Sequence, residues 1–147
     1  MLNTFIFTVL AAMILSSFSK KQVSMNNYQT WFKKEITLDS IKWWLARVYT
    51  TDSFVQVSNP KAFIQFNISG GKINGNGSCN SFGGKATIVG NTLSFGNIFS
   101  TKMYCTEVQS IENEFLRQLQ RVNRYEINGK KLILFNGDDA VLEFEGG

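Results

Sequence analysis

Two cysteines, a glycine-rich stretch and a scatter of carboxylates are the residues in this 147-residue chain whose types could do chemistry. Cys79 and Cys105 admit three readings. An even cysteine count in an oxidising compartment suits a disulfide, and the loop it would close corresponds to about 3.5 kcal/mol of lost unfolded-state freedom. Two buried free thiols would pack as small hydrophobes. A nucleophilic thiolate would need an activating base or cation, yet the chain contains no histidine, and Lys102 is only a neighbour in sequence. The absent histidine also removes Ser-His-Asp and Cys-His arrangements, His-x-x-x-His zinc sites and imidazole general bases. Two cysteines do not complete a four-ligand structural zinc site. No metal and no cofactor is expected.

The glycine-rich stretch runs Gly70-Gly71-Lys72-Ile73-Asn74-Gly75-Asn76-Gly77-Ser78-Cys79-Asn80-Ser81-Phe82-Gly83-Gly84. A phosphate-cradling loop would need Gly-Lys-Ser/Thr opening a helix. Here Gly84-Lys85 is followed by Ala86 and a strand pattern. Tight turns and bulges in a bent sheet are the simpler reading. Among the carboxylates, Asp138-Asp139 fall on an expected turn. Glu143 and Glu145 share one face of an expected strand, which reads as a solvated face and not as a glycosidase pair. Asn136-Gly137-Asp138-Asp139 lacks calcium-loop spacing. Two sequons, at Asn67 and Asn76, matter only in a eukaryotic secretory path.

The elements that must position these residues follow from periodicity. Trp43 to Tyr49 is aromatic and apolar. Ile64, Phe66 and Ile68 alternate with polar residues, as in a half-buried strand. Lys72-Ile73-Asn74 returns after Gly70-Gly71. Ala86–Val89 and Thr92–Phe95 flank Gly90-Asn91. Arg124–Ile127, Lys131–Phe135 and Ala140–Phe144 form a closing meander with Asn128-Gly129 and Asn136-Gly137 as type I′ turns. One helix stands apart: Val108, Ile111, Phe115, Leu119 and Val122 share a face. Thr106 and Gln109 form a capping box, and Glu107 suits the positive end of the helix dipole. Glu114, Arg117, Gln118 and Arg121 decorate its outer face. Short turns favour antiparallel pairing. The expected fold class is α+β: a curved antiparallel β-sheet, a partial barrel, packed on one main α-helix.

Three zones are expected along the chain. Phe5–Leu15 is an apolar run too short to span a bilayer but suited to a secretory signal, with a cleavage position before Lys20; residues 1–19 are read as a signal peptide, or as an anchor if uncleaved. Residues 20–40 are polar and aperiodic, as in a linker, interrupted by Tyr28, Trp31 and Phe32. Residues 41–146 form the compact domain. Lys and Arg number 15 against 11 Asp and Glu, a net +4 with no clustered basic face, which argues against a nucleic-acid partner.

The segment Gly75-Asn76-Gly77-Ser78-Cys79-Asn80-Ser81-Phe82-Gly83-Gly84 resembles the "G-x-x-C-N-x-F-x-G" core of the META domain family, which includes the HslJ-like lipoproteins. Thr101-Lys102-Met103-Tyr104-Cys105 resembles that family's "T-x-M-x-C" block. Trp43-Trp44-Leu45 fits its opening Trp-x-Leu, Glu114-Phe115 and Leu119 fit its helix, and Tyr125–Leu134 fits its closing hairpin. The resemblance covers about 41–146. It singles out Asn80, Phe82, Gly84, Thr101 and Met103 beside the two cysteines; one reading has Asn80 capping or tying the bend with Thr101 and Met103 buried opposite it, and the other has the cluster contact a ligand. Two departures matter: no cysteine follows the N-terminal apolar run, so the lipid-attachment residue is missing, and Tyr104 replaces a small residue.

The resemblance implies a non-catalytic domain of a bacterial envelope, exported to the periplasm, outer envelope or medium, and linked indirectly to stress tolerance. Its expected partner is an envelope protein of unknown identity, with membrane contact only if the N-terminal segment stays uncleaved, and the domain itself is expected to be a monomer. The alternative is a small-molecule or lipid carrier whose aromatics, Trp43 and Trp44 among them, line a concave sheet.

Overall fold

The computed structural model describes residues 37–57 and 61–147. The expected signal segment, most of the expected linker with Tyr28, Trp31 and Phe32, and Pro60 lie outside the described residues. Thr37–Ser40, the last four linker residues, form a turn whose Leu38 is buried and whose Leu38 carbonyl accepts the Trp43 indole N–H at 2.8 Å. The folded unit thus reaches back of residue 41, because Trp43 needs a buried acceptor for its one donor.

Nine strands and one helix follow: β1 (Trp43–Tyr49), β2 (Phe54–Gln56), β3 (Phe63–Asn67), β4 (Lys72–Asn76), β5 (Ser81–Val89), β6 (Thr92–Ser100), α1 (Gln109–Leu119), β7 (Arg124–Asn128), β8 (Lys131–Asn136) and β9 (Asp139–Gly146). All pairings are antiparallel. The order is β2-β1-β3-β4-β5-β6-β7-β8-β9, and β1 also pairs with β9. The sheet therefore curls into a ring. It is not a barrel, because β6 meets β7 at a single pair, Thr92↔Arg124. Register shifts between Leu45 and Arg47 and between Gly83 and Lys85 mark where strands bend.

The helix fills the concave side. Phe115 and Leu119 are fully buried with Trp43, Leu45, Ile64, Leu93, Leu132, Leu134, Leu142 and Phe144. Phe115 meets Phe82 and Phe144 edge-on, with ring centroids 5.5 and 6.0 Å apart, a geometry favoured by the ring quadrupoles. Trp43 is thus core. Trp44, the other tryptophan that the carrier reading names, is half-buried and meets Phe63 with ring centroids 5.3 Å apart.

Three local expectations are corrected. The helix begins at Gln109, with Val108 as N-cap and no side-chain cap. Thr106 lies in a turn fixed by Val108 and Gln109 N–H bonds to the Cys105 carbonyl, at 3.1 and 2.9 Å, which places it outside the helix start. Glu107 is therefore not in the first helical turn; Glu112 is. Next, the meander turns centre on Gly129-Lys130 and Gly137-Asp138, since Asn128 pairs with Lys131 and Asn136 with Asp139. Only the glycines take positive φ, +60 and +65, so these are not type I′ turns; the pattern is that of a turn needing glycine at its first central position. Finally, β2 carried no sequence signal, being three exposed residues paired to Arg47–Tyr49.

Candidate functional site

The bend between β4 and β5 is held by the first turn of α1. Glu112 shares the inward face of the helix with Phe115 and Leu119 and is 2% exposed. One carboxylate oxygen accepts the backbone N–H groups of Cys79 and Asn80 at 2.9 and 2.7 Å; the other accepts the Asn80 side-chain amide. No Lys or Arg pairs with it among the described residues. Its charge is met by two converging backbone amides, a side-chain amide and the positive end of the helix.

Asn80 is the hub of this corner. Its Nδ2 also donates to the Met103 carbonyl at 2.9 Å, and its Oδ1 accepts the Thr101 hydroxyl at 2.8 Å and the Met103 N–H at 2.7 Å. Two donors and two acceptors are all used, which is the full capacity of an amide. Cys79 and Cys105 are joined in a disulfide, with Cα atoms 6.0 Å apart. The bend is therefore tied three ways: covalently to the segment before the helix, through Asn80 to residues 101–103, and through Glu112 to the helix. No free thiol remains among the described residues, so the nucleophilic-thiol reading has no group to act.

The backbone here leaves no slack. A Cβ at Gly77 would stand 2.6 Å from a Glu112 carboxylate oxygen, and one at Gly75 would stand 2.2 Å from the Phe63 carbonyl. Ser78, between Gly77 and Cys79, has φ +105, a left-handed value that non-glycine residues rarely adopt. Its N–H is taken by Asn76 Oδ1 at 2.8 Å.

The motif residues thus play different parts. Phe82 is buried against Phe115. Gly84 sits at the β5–β6 bulge, where an added Cβ would lie 3.1 Å from the Gly96 carbonyl. Thr101 and Met103 are not buried: Thr101 is exposed and the Met103 side chain is 60% exposed. What Asn80 uses is the Met103 backbone and the Thr101 hydroxyl, so side-chain burial was the wrong signal to read there.

A second carboxylate, which the sequence reading left on a solvated strand face, is also buried. Glu143 on β9 is 3% exposed. Arg47 Nη1 donates to both of its oxygens at 3.0 Å, the Tyr49 hydroxyl donates at 2.9 Å and Lys131 Nζ lies 2.8 Å away. Burial alone would push the Glu143 carboxyl up. Hydrogen bonds from Lys131 and Tyr49 and the charges of Arg47 and Lys131 outweigh it, holding the group below the usual carboxylate range. Burial and the bond to Glu143 push the Tyr49 hydroxyl up. Gln118, expected on the outer face of the helix, is buried and donates to the Tyr49 carbonyl at 3.2 Å and to Glu114 at 2.7 Å.

Sequence reasoning missed Glu112. The signal was present: positions 108, 112, 115 and 119 fall on one helical face, and a carboxylate among Val, Phe and Leu at that spacing is a buried acid that needs donors. It also missed the aromatic and aliphatic chains beside the staple that face solvent: Phe99, Met103 and Tyr104 are all exposed. An open cleft of about 630 Å³ borders the disulfide, lined by Val57, Lys61, Ser78, Cys105, Val108 and Ile111 among others. Among the described residues no three acidic or sulfur side chains converge as a metal site, and no helix is long and apolar enough to cross a membrane.

The family model for the META domain matches residues 36–146. Three solved structures share the fold. An NMR structure of a protein from Burkholderia xenovorans is 26% identical, with TM-score 0.60, over 75% of this chain and 83% of that one. A second protein solved by NMR is 21% identical, with TM-score 0.53, over 76% and 95%. The crystal structure of a DUF4847 family protein from Bacteroides vulgatus is 15% identical, with TM-score 0.56, over 75% and 94%. No curated protein sequence matches the chain.

Proposed function

The chain belongs to the META domain family, a family without a known molecular activity, and from that premise we propose that it is an exported, non-catalytic envelope domain that binds another protein and so supports envelope integrity under stress. One observation carries this reading. At the motif corner the cysteines, Asn80 and Glu112 are engaged in holding the bend, while apolar chains near it face outward. The cysteines are bridged, Asn80 has no unused donor or acceptor, and Glu112 accepts two backbone amides and the Asn80 side-chain amide. Met103 and Tyr104 are exposed on the segment that Asn80 and Cys105 hold in place, and Phe99 is exposed near the end of β6 just before it. Exposed aromatic and methionine side chains on a rigid support are the usual anchors of a protein interface.

The disulfide supports the export half of the reading, because such bonds persist in oxidising compartments. Fractionation of the producing cells should recover the chain outside the cytoplasm with the bond intact. The partner half is tested with a photo-crosslinking residue at Tyr104, and another at Val89, which is equally exposed at the far tip of the β5–β6 hairpin. Expected is a discrete adduct from position 104 and none from 89. Equal background from both positions would overturn it.

A further inference from the structure

The longest unpaired strand edge among the described residues belongs to β6. It meets β7 only at Thr92↔Arg124, because β7 continues beside the hairpin tip: Leu93 N–H bonds the Asn123 carbonyl at 3.2 Å and Tyr125 N–H bonds the Asn91 carbonyl at 3.0 Å. From Ser94 to Ser100 the strand has β5 on one side and no strand on the other. Strand alternation shows which groups are open. Leu93 turns its N–H outward to Asn123, so Phe95 turns its N–H and C=O outward too. Beyond the bulge, Thr101 N–H bonds inward to the Ser81 carbonyl at 3.0 Å, so Ser100 and Ile98 turn their N–H and C=O outward. Ser94, Gly96, Asn97 and Phe99 are exposed, so this edge is within reach of another chain.

Sheets usually blunt an open edge with charge or proline. Neither occurs from Gly90 to Thr101. The bulge at Asn97, φ +52, is the one interruption.

We propose that the β6 edge is an interface between two copies of this chain, paired antiparallel about a twofold axis. A twofold contact sets each edge against its twin. Like charges directly opposite are destabilising, so an uncharged strand suits such a contact, whereas the chain's net +4 disfavours close approach elsewhere. Beside the middle of the edge the basic side chain is Lys85, on β5 opposite Gly96, while Arg124 and Lys102 lie beyond its two ends. Two Lys85 residues would sit three strand spacings apart, roughly 14 Å at about 4.8 Å each, beyond a Debye length of about 8 Å. A strand of other chemistry, charged or bearing proline, would forfeit this match. The interface departs from the monomer expected from sequence. An edge of this length buries less than a standard interface, so the dissociation constant falls at roughly 10–1000 μM.

Sedimentation equilibrium of the chain as recovered from producing cells, run up to about 1 mM, should show a concentration-dependent dimer. Amide exchange at Phe95 and Ser100 should slow as concentration rises. Ser94→Lys, on the edge, should weaken association at least tenfold. Thr87→Lys, its cross-strand partner on β5, adds the same charge one strand inward and should leave association within twofold. Folding of both variants is checked by amide shift dispersion. A monomer at every concentration overturns the proposal. So does a dimer indifferent to Ser94→Lys or weakened equally by both variants, and so does a monomer that captures only an added peptide strand.

Discussion

Two buried carboxylates hold this domain together by opposite means. Glu112 is met by groups that cannot move: two backbone amides of the Cys79–Asn80 bend and the Asn80 side chain. Glu143 is met by groups on long stems that reach water: the Arg47 and Lys131 side chains are 34% and 44% exposed. The cost of removing a buried charge depends on what its partners can do afterwards. Around Glu143 they turn to solvent. Around Glu112 they stay buried and unpaired. The first site is a tolerant clamp across β1, β8 and β9; the second fixes the one bend where helix, disulfide and motif meet.

The comparison is broken most directly by Glu112→Ala. It strands two backbone donors and an amide, and should cost about 3–5 kcal/mol, read as a lower urea midpoint at unchanged slope. If Glu143→Ala cost as much, the contrast would fail. Cys105→Ser follows. Opening a loop whose ends lie 26 residues apart should cost about 3.5 kcal/mol, measured against the oxidised parent. Near-parent stability would mean that Asn80 and Glu112 hold the bend unaided. Glu143→Ala should cost only about 1–2 kcal/mol, since its cations are rehydrated.

Acid sharpens the same contrast. Because the Glu143 carboxyl is held low when folded, its stabilisation is fully present above the unfolded carboxyl value of about 4.3 and is lost as pH falls through the folded value. Stability of Glu143→Gln should therefore fall less steeply than the parent's below about pH 4.5. Identical acid limbs would remove the linkage. Smallest, and of opposite sign, is Ser78→Gly. Relief of the left-handed backbone at φ +105 should gain up to about 1 kcal/mol, seen as a slightly higher melting temperature. A loss would show that Ser78 does more than bridge Gly77 and Cys79.

Much of the framework was legible because it is local. Alternation gave β3, two-residue spacings gave the tips of the β5–β6 and β7–β8–β9 hairpins, and the 3.6-residue repeat gave α1, but β5 begins at Ser81 and not Ala86, and β6 runs to Ser100 and not Phe95. The glycines were legible as turns, but the turn type was not: whether Asn128 or Lys130 sits beside Gly129 at the tip depends on strand register. β2 was invisible because three exposed residues have no period.

The site divides along the same line. Cys79 and Cys105 announce themselves by type, and Asn80 and Phe82 through the family motif that they resemble. Glu112 and Glu143 do not, since an acid on a helix or strand looks solvated until its neighbours are known. By itself the sequence determined the element order, the single amphipathic helix, the absence of imidazole chemistry and the pair of cysteines available to bridge. Only the tertiary structure decided that the helix lays its acid against the glycine-rich bend, 32 residues away in sequence, and that Arg47 crosses to Glu143, 96 residues away. Such pairings are set by how the sheet curls and where the helix seats. No residue-by-residue preference encodes that, because the preference of a carboxylate for burial is unfavourable until its donors are already in place.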